Sequence, residues 1–247
     1  MNVLHVGFSK TIEPPKGGYL LIDDEVPDIP KSRIFDPLKH CFNPLKGIDY
    51  KRARELAELF YTISPQGDNT LTVRNGKRAL LKALMAADRL DRVKTRGLSK
   101  NDAEEVEAML DDILVSPILR RVLCNATNFS FNGNSVILAR ISRKELGDFD
   151  ALVLGLLLTS HAKGQVVVPD LGFYGRAIHS RLIREERLIA GCNYLDELPE
   201  ALRKAVMLIN EKVPSGTTVE DAEELARYER LERGTNGFKD FVARAIA

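Results

Sequence analysis

The chain has 247 residues and an almost balanced charge, with 36 lysine and arginine residues against 35 aspartate and glutamate residues. A net charge of +1 excludes binding to nucleic acid through overall positive charge, so any DNA contact needs a local basic patch. A hydrophobic content of 44% is typical of a globular protein with one large core. Three distant cysteines and four isolated histidines predict neither a disulfide framework nor a zinc site.

The longest apolar stretch, residues 151–158, is too short to cross a membrane. The start of the chain lacks the basic segment and the long apolar run of a signal peptide. We therefore expect a soluble, cytoplasmic protein without membrane insertion.

The first 48 residues are rich in turns, and strands are predicted there at 3–7, 19–22 and 33–35. From Asp49, which can cap a helix, apolar residues recur at helical spacing. The second helix is predicted from residue 69 or 70 to about 90, and Ser99 with Asp102 resembles a capping box for a third. Pro117 begins one more short helix. Residues 49–131 are therefore predicted to form an all-helical subdomain.

Strands and helices alternate from residue 132 to the end of the chain. The predicted strands cover 135–139, 165–168, 188–190 and 206–209. The predicted helices cover 148–161, 175–186, a short segment from 199, 219–228 and 237–246. Short buried strands separated by helices favour a parallel sheet with right-handed crossovers. We therefore predict an α/β core made of residues 1–48 and 132–247.

The tripeptide Ser9-Lys10-Thr11 follows the first strand and matches the end of a phosphate-binding loop, GxxxxGK[ST]. Lys10 would contact the phosphates and Thr11 would bind Mg²⁺, with Ser9 beside them. The two glycines of the pattern are replaced by Leu4 and Ser9, and a proline pair follows. The residues therefore favour an edge strand that runs into a proline loop. A site for ATP and Mg²⁺ is the less favoured interpretation.

Further motifs occur in a fixed order along the chain: residues 19–24, Ile34-Phe35-Asp36-Pro37, Phe42-Asn43-Pro44-Leu45, 135–161, 166–170 and 184–203. This series resembles the conjugative coupling-protein branch of the FtsK/HerA superfamily, the ring ATPases that feed DNA into type IV secretion channels. The resemblance covers nearly the whole chain. It implies a RecA-like, mostly parallel sheet flanked by helices, with residues 49–131 as an all-helical insertion.

The resemblance also implies roles for four residues in the second half. Asp170 would orient Mg²⁺ as the Walker B aspartate, Asn193 would be the sensor amide, and Arg184 and Arg187 would be arginine fingers offered to a neighbouring subunit. Leu171 stands where the family usually has a catalytic glutamate. On the residues alone, simpler roles are favoured: Asp170 would cap a helix, Asn193 would form a turn, and the arginines would stabilise a helix C-terminus.

Arg176, Arg181, Arg184 and Arg187, together with His179, form a locally basic segment, in which Arg176 and Arg181 are the candidate contacts for DNA phosphates. Glu185 and Glu186 interrupt this segment. The acidic cluster Asp23-Asp24-Glu25 follows a strand and favours a solvated loop over a metal site.

The resemblance and the lost motif residues together predict an ATPase-fold protein without efficient hydrolysis, acting in a DNA transfer, translocation or packaging assembly. It would form a homo-oligomer or dock on a related, active ATPase. One alternative is an active ATP-driven DNA translocase subunit of a ring, with the missing acid supplied by another element such as Glu25. The other alternative is an unrelated α/β interaction protein.

Overall fold

The computed structural model describes residues 2–7, 12, 15–63, 70–131, 135–162, 164–175, 185, 187–207, 209, 211–228 and 244–246. The chain divides into two compact units. The sheet unit comprises Met1–Arg33, Gly133–Ala139 and Ala162–Ala247, and the helical unit comprises Ile34–Asn132 and Arg140–His161. The domain boundaries inferred from the sequence stay a prediction.

Seven strands of the described residues form one sheet, in the order β3-β4-β2-β5-β6-β1-β7. Parallel pairing joins β2 to β5, β5 to β6, β6 to β1 and β1 to β7. The strands are β1 Val3–Val6, β2 Tyr19–Asp23, β3 Arg33–Phe35, β4 Ile137–Arg140, β5 Gln165–Val168, β6 Leu188–Cys192 and β7 Glu211–Pro214. The predicted parallel α/β fold is thereby confirmed.

The helices of the described residues are α1 Tyr50–Ile63, α2 Thr70–Met85, α3 Lys100–Leu114, α4 Pro117–Cys124, α5 Arg143–Leu146, α6 Asp148–His161, α7 Leu171–Tyr174, α8 Glu200–Val206 and α9 Val219–Tyr228. Most lie where the apolar spacing predicts them, whereas the short helices α5 and α7 have no counterpart among the predicted helices. Two predicted caps are confirmed. Asp49 Oδ1 accepts a hydrogen bond from the Arg52 N–H at 2.7 Å, and the Ser99 side chain accepts one from the Asp102 N–H at 3.2 Å.

Two sequence-based boundaries are wrong. The second helix ends at Met85, and Leu90 begins a separate 3-10 turn, Leu90–Arg92. The apolar run 206–209 is not a strand, because Val206 ends α8 and the strand follows at Glu211–Pro214. Val206, Met207 and Ile209 are apolar because they are buried in the core, whereas β7 lies at the end of the sheet, where polar residues and proline are tolerated.

The helix predicted over 175–186 lies almost entirely outside the described residues. Of the helix predicted over 237–246, residues 244–246 are described, and they are helical. No helix in the described parts of the chain is long and apolar enough to cross a membrane.

The sheet unit is held together by strands that are buried on both faces. One cluster takes a residue from each of several strands, namely Val3, Tyr19, Leu21, Leu138, Val167 and Ile189. The intervening residues Leu4, Leu20, Val166 and Ala190 are also buried. Near-continuous apolar strands of this kind are typical of parallel sheets covered by helices on both sides.

In the helical unit, the Phe42-Asn43-Pro44-Leu45 turn joins distant segments through Asn43. Its N–H donates to Thr127 Oγ1 at 2.9 Å and its Nδ2 donates to the Asp88 carbonyl at 2.7 Å. Its Oδ1 accepts from the Leu45 N–H at 2.9 Å. Asn43 therefore closes its own turn and joins it to two distant segments, at Asp88 and Thr127, which explains why the motif is a fixed turn.

Gly7 directly follows β1, and a substitution there measures how closely the end of this strand packs against Ser215. It has φ +115°, and a Cβ atom there would lie 2.1 Å from the Ser215 carbonyl oxygen. We expect Gly7→Ala to lower the free energy of unfolding by more than about 3 kcal/mol, because backbone strain and a backbone clash add. Urea unfolding measures this.

Gly17→Ala is the matched control, because Gly17 has φ +103° with nothing within 4 Å of its Cβ position. This variant carries the strain without the clash, so it loses only about 1 kcal/mol. Equal losses in the two variants would show that β1 and the segment after β7 do not approach closely.

Candidate functional site

The carboxyl ends of four parallel strands meet at one edge of the sheet unit. Val6 is level with both Cys192 and Pro214, and Val168 is level with Ala190. The residues that follow these strands therefore lie side by side, and they include Gly7, Asp170, Asn193 and Ser215. In open parallel sheets this edge is where ligands bind.

The end of β1 is fixed between its two neighbours by backbone bonds. The Gly7 N–H donates to the Cys192 carbonyl at 3.0 Å, and the Ser215 N–H donates to the Val6 carbonyl at 2.9 Å. The candidate nucleotide-binding residues Ser9, Lys10 and Thr11 come directly afterwards in the chain and lie outside the described residues. So do three predicted arginines of the other motifs, Arg176, Arg181 and Arg184.

Asp170 caps the helix that follows β5. Its Oδ1 accepts a hydrogen bond from the Phe173 N–H at 3.0 Å, at the start of α7. The capping role that the sequence allowed is thereby confirmed, and the Mg²⁺-orienting role stays a prediction. The next residue, Leu171, is fully buried and packs into the core.

Asn193 follows β6, and its N–H donates to Glu197 Oε2 at 3.1 Å. The same carboxylate approaches the start of α7, because a Cβ atom on Gly172 would lie 2.7 Å from Glu197 Oε2. Glu197 therefore lies near the ends of both β5 and β6, in contact with Asn193 and close to Gly172, which is two residues after Asp170. The sensor role of Asn193 stays a prediction.

Sequence reasoning missed Glu197, since nothing in its spacing marks it as a site residue. A 3-10 turn, Leu195–Glu197, brings it back to the strand end. This turn is anchored by Asp221, whose Oδ2 accepts from the Leu195 N–H at 3.3 Å. Asp221 is buried, and burial raises the pKa of its carboxyl. The one signal in the sequence is an acidic residue four positions after the asparagine that follows a strand. It indicates a site residue only when the intervening 3-10 turn is known.

Arg187 lies at the opposite edge of the sheet. Its carbonyl accepts from the Val166 N–H at 2.8 Å, which places it at the start of β5 and β6. Six residue steps along β6 separate Arg187 from Asn193, a distance of roughly 20 Å. Within one chain it therefore does not reach the edge that holds Asp170. Its role as an arginine finger toward a neighbouring subunit stays a prediction.

The Arg187 guanidinium joins several backbone segments. Nε donates to the Gly164 carbonyl at 2.8 Å, Nη2 donates to the Ala162 carbonyl, and Nη1 lies 3.0 Å from Glu185 Oε2. The side chain is only 18% exposed. These bonds satisfy carbonyls at the entry to β5, which is a structural task.

The acidic cluster after β2 forms a local turn, in which the Asp24 N–H donates to Asp23 Oδ1 at 2.8 Å. Among the described residues, no group of three or more histidine, cysteine, aspartate or glutamate side chains has a geometry that could hold a metal ion.

Comparison with known proteins supports the class of the fold. No protein-family model and no curated protein matches the sequence. The sheet order and its flanking helices define a RecA-like α/β fold, which is also found in the solved structure of a bacterial conjugative coupling protein.

Three solved structures illustrate the match. The bacterial conjugative coupling protein TrwBdeltaN70, in its unbound monoclinic form, superposes with a TM-score of 0.57 at 9% identity, covering 91% of this chain and 71% of that one. TrwB in complex with the ATP analogue ADPNP gives 0.57 at 10% identity, with 91% and 73% covered. VirB4 of Thermoanaerobacter pseudethanolicus gives 0.56 at 11% identity, with 94% and 81% covered. The resemblance to the coupling-protein branch is thereby confirmed at the level of the fold.

Arg187→Ala tests the structural task of this arginine. We expect a loss of about 2 kcal/mol in the free energy of unfolding, because the carbonyls of Ala162 and Gly164 lose a charged donor. Arg187→Lys restores little, since a lysine lacks the planar fork. Urea unfolding of both variants is the measurement.

Arg227→Ala is the control, because Arg227 is 70% exposed and only 3.8 Å from Glu223 in a helix pair. It changes stability by less than about 0.5 kcal/mol. If Arg187→Ala were as stable as this control, the guanidinium would have no structural task and the finger role would gain support.

Proposed function

We propose that this chain is an ATPase-fold component of a DNA transfer, translocation or packaging assembly that does not hydrolyse ATP efficiently. The fold similarity to a conjugative coupling protein and to VirB4 supports the assembly. The single observation that carries the loss of hydrolysis is the buried Leu171 beside a capping Asp170.

Hydrolysis needs a group that positions and activates the attacking water. The family's acid would follow Asp170, but Leu171 is apolar and enclosed by the core. One carboxylate oxygen of Asp170 accepts a hydrogen bond at the N-terminus of α7. The position next to the strand end therefore contributes to packing and capping and supplies no base.

The position of the phosphate-loop pattern also supports the proposal. Its first glycine falls on Leu4, which is fully buried inside β1 and level with Ala190 and Lys212. The strand ends at Val6, so only residues 7–9 separate it from Lys10. Fewer backbone N–H groups are available there than a loop that wraps phosphates requires.

The length of the next connection points the same way. From Val6 to Tyr19 the chain passes β6 and β5 and returns to the amino edge of the sheet. Strand spacing and rise make this a span of roughly 22 Å. Only twelve residues, 7–18, make this connection, and they include Pro14-Pro15 and Gly17-Gly18. Paired prolines and paired glycines disfavour a helix, so the connection is poorly suited to a phosphate loop followed by a crossover helix.

One observation favours the alternative, an active ATP-driven translocase subunit in a homo-oligomeric ring. Glu197 brings a carboxylate to the edge of the sheet where Asp170 follows β5 and Asn193 follows β6. In this alternative Glu197 acts as the missing acid, Lys10 and Thr11 bind the phosphates and Mg²⁺, and the arginines come from a neighbouring subunit. Under the preferred proposal, by contrast, the chain is a cytoplasmic protein that forms a homo-oligomer or docks on a related ATPase.

Binding of a fluorescent ATP analogue with Mg²⁺ and phosphate release with and without DNA test this proposal. We expect no saturable binding at millimolar nucleotide and no DNA-stimulated phosphate release, because the sequence lacks both glycines of the phosphate-loop pattern and the acid after Asp170. The measurements are a fluorescence titration and a coupled phosphate assay on the full chain.

Lys10→Ala, Glu197→Gln and the control Lys16→Ala separate the alternatives. Lys16 is an exposed lysine of the same connection. Nucleotide binding that is lost in Lys10→Ala but kept in Lys16→Ala, with phosphate release that is lost in Glu197→Gln, would replace the proposal by the active translocase.

A further inference from the structure

The nearly neutral chain hides a strongly basic segment in the helical unit. Residues 70–100 contain nine lysine and arginine residues and two aspartates, so they carry a net charge of +7, whereas the whole chain has +1. The remaining residues are acidic in balance. The helix α2 and the loop to α3 make up most of this segment.

α2 contains no acidic residue in its 16 positions. Asn75, Arg78 and Lys82 are exposed and recur at intervals of three and four, which places them on one stripe of the helix. Lys77 lies beside this stripe, with its Nζ 5.8 Å from the centre of the Tyr61 ring. We call the stripe with Arg78 and Lys82 the α2 basic face.

The α2 basic face is not neutralised by the ion pairs of the described residues. Those nearby join Arg89 to Asp91, Arg92 to Asp88 and Lys100 to Glu104, all in or after the loop. No ion pair between described residues includes Arg78 or Lys82.

The loop cations Lys94 and Arg96 have different surroundings. Thr95 between them donates to Glu107 Oε1 at 2.5 Å, which places an acid next to both. α2 packs on α3 at Glu105, whose carboxylate faces Gly76 and Tyr61. Residues two apart on a helix point about 200° away from each other. Gly76 faces α3, so Arg78, two residues later, points away from α3. The α2 basic face therefore does not share the acidic surroundings of the loop cations.

Such a stripe fits a polyanion better than a protein surface. Cations one turn apart have Cβ atoms about 5–6 Å from each other, a spacing that lets each reach its own phosphate on a nucleic acid strand. Protein interfaces are depleted of lysine at their centres and need an apolar anchor. The exposed stripe of α2 presents asparagine and cations, followed only at its end by Met85.

We propose that the α2 basic face binds the phosphate backbone of DNA without regard to sequence. This inference rests on the proposed function, in which DNA is the cargo of the assembly. Arg78 and Lys82 each neutralise a phosphate and release its condensed counterions, while Asn75 and Lys77 flank the contact.

The test compares two double variants of the full chain, Arg78→Gln/Lys82→Gln and Lys94→Gln/Arg96→Gln. Each removes one arginine and one lysine, all exposed, so both variants reach the same net charge. Glutamine is a good helix former, and equal thermal unfolding of the three proteins verifies the fold. Affinity for a duplex and for a single strand of random sequence is measured by fluorescence anisotropy over about 50–200 mM salt.

We expect the α2 variant to lower the slope of log affinity against log salt by about 2 and to bind about tenfold more weakly at the low end of that range. The loop variant keeps the slope of the unaltered chain. Equal changes in both variants would overturn the proposal in favour of general charge attraction. An unaltered slope in the α2 variant would also overturn it.

Sedimentation velocity separates two further outcomes. If the α2 variant loses self-association while its DNA affinity is unchanged, the face contacts a second copy of the chain and the proposal is wrong. If the unaltered chain binds no DNA, this inference fails, while the loss of hydrolysis is still decided by the nucleotide measurements alone. The two proposals can therefore fail separately.

Discussion

The position of β1 between β6 and β7 is the constraint on which the candidate site depends. A strand from the start of the chain is inserted between two strands from its last third, and all three run parallel. Backbone bonds from Gly7 to Cys192 and from Ser215 to Val6 hold its carboxyl end in register. Only glycine allows the Ser215 carbonyl to approach so closely, so this one position sets the edge at which Asp170 and Asn193 meet.

The same register separates residues that a linear motif series groups together. Asp170, Asn193 and Glu197 gather at the carboxyl edge, whereas Arg187 lies about a strand length away at the amino edge and bonds the entry to β5. The carboxyl edge of a RecA-like sheet can therefore carry polar residues whose hydrogen bonds stabilise the fold. Asp170 caps a helix, Asn193 and Glu197 close a turn, and the adjoining Leu171 fills the core. A shared fold whose strand-end side chains form structural bonds is the physical content of the proposed loss of hydrolysis.

In the helical unit, charge is segregated by element. α2 is free of acids, whereas α3 carries six acidic residues after its first position. The two signs nearly cancel in the total, so overall charge says nothing about either surface. A segment with a uniform sign on an exposed helical stripe produces a local field, and a local field is what a polyanion responds to.

The sequence by itself determined most of the helices and strands, the caps at Asp49 and Ser99, and the resemblance that the shared fold confirms. These features depend on local spacing and on side chains that bond backbone groups a few residues away. The apolar run at 206–209 was misread because burial at the end of a helix and burial in a strand need the same residue types. The contact of Gly7 with Ser215, the arrival of Glu197 beside Asn193 and the opposite placement of Arg187 were decided only by the tertiary structure. Each depends on which strands lie next to one another, and strand order in a parallel sheet is set by long-range packing that no short stretch of sequence encodes.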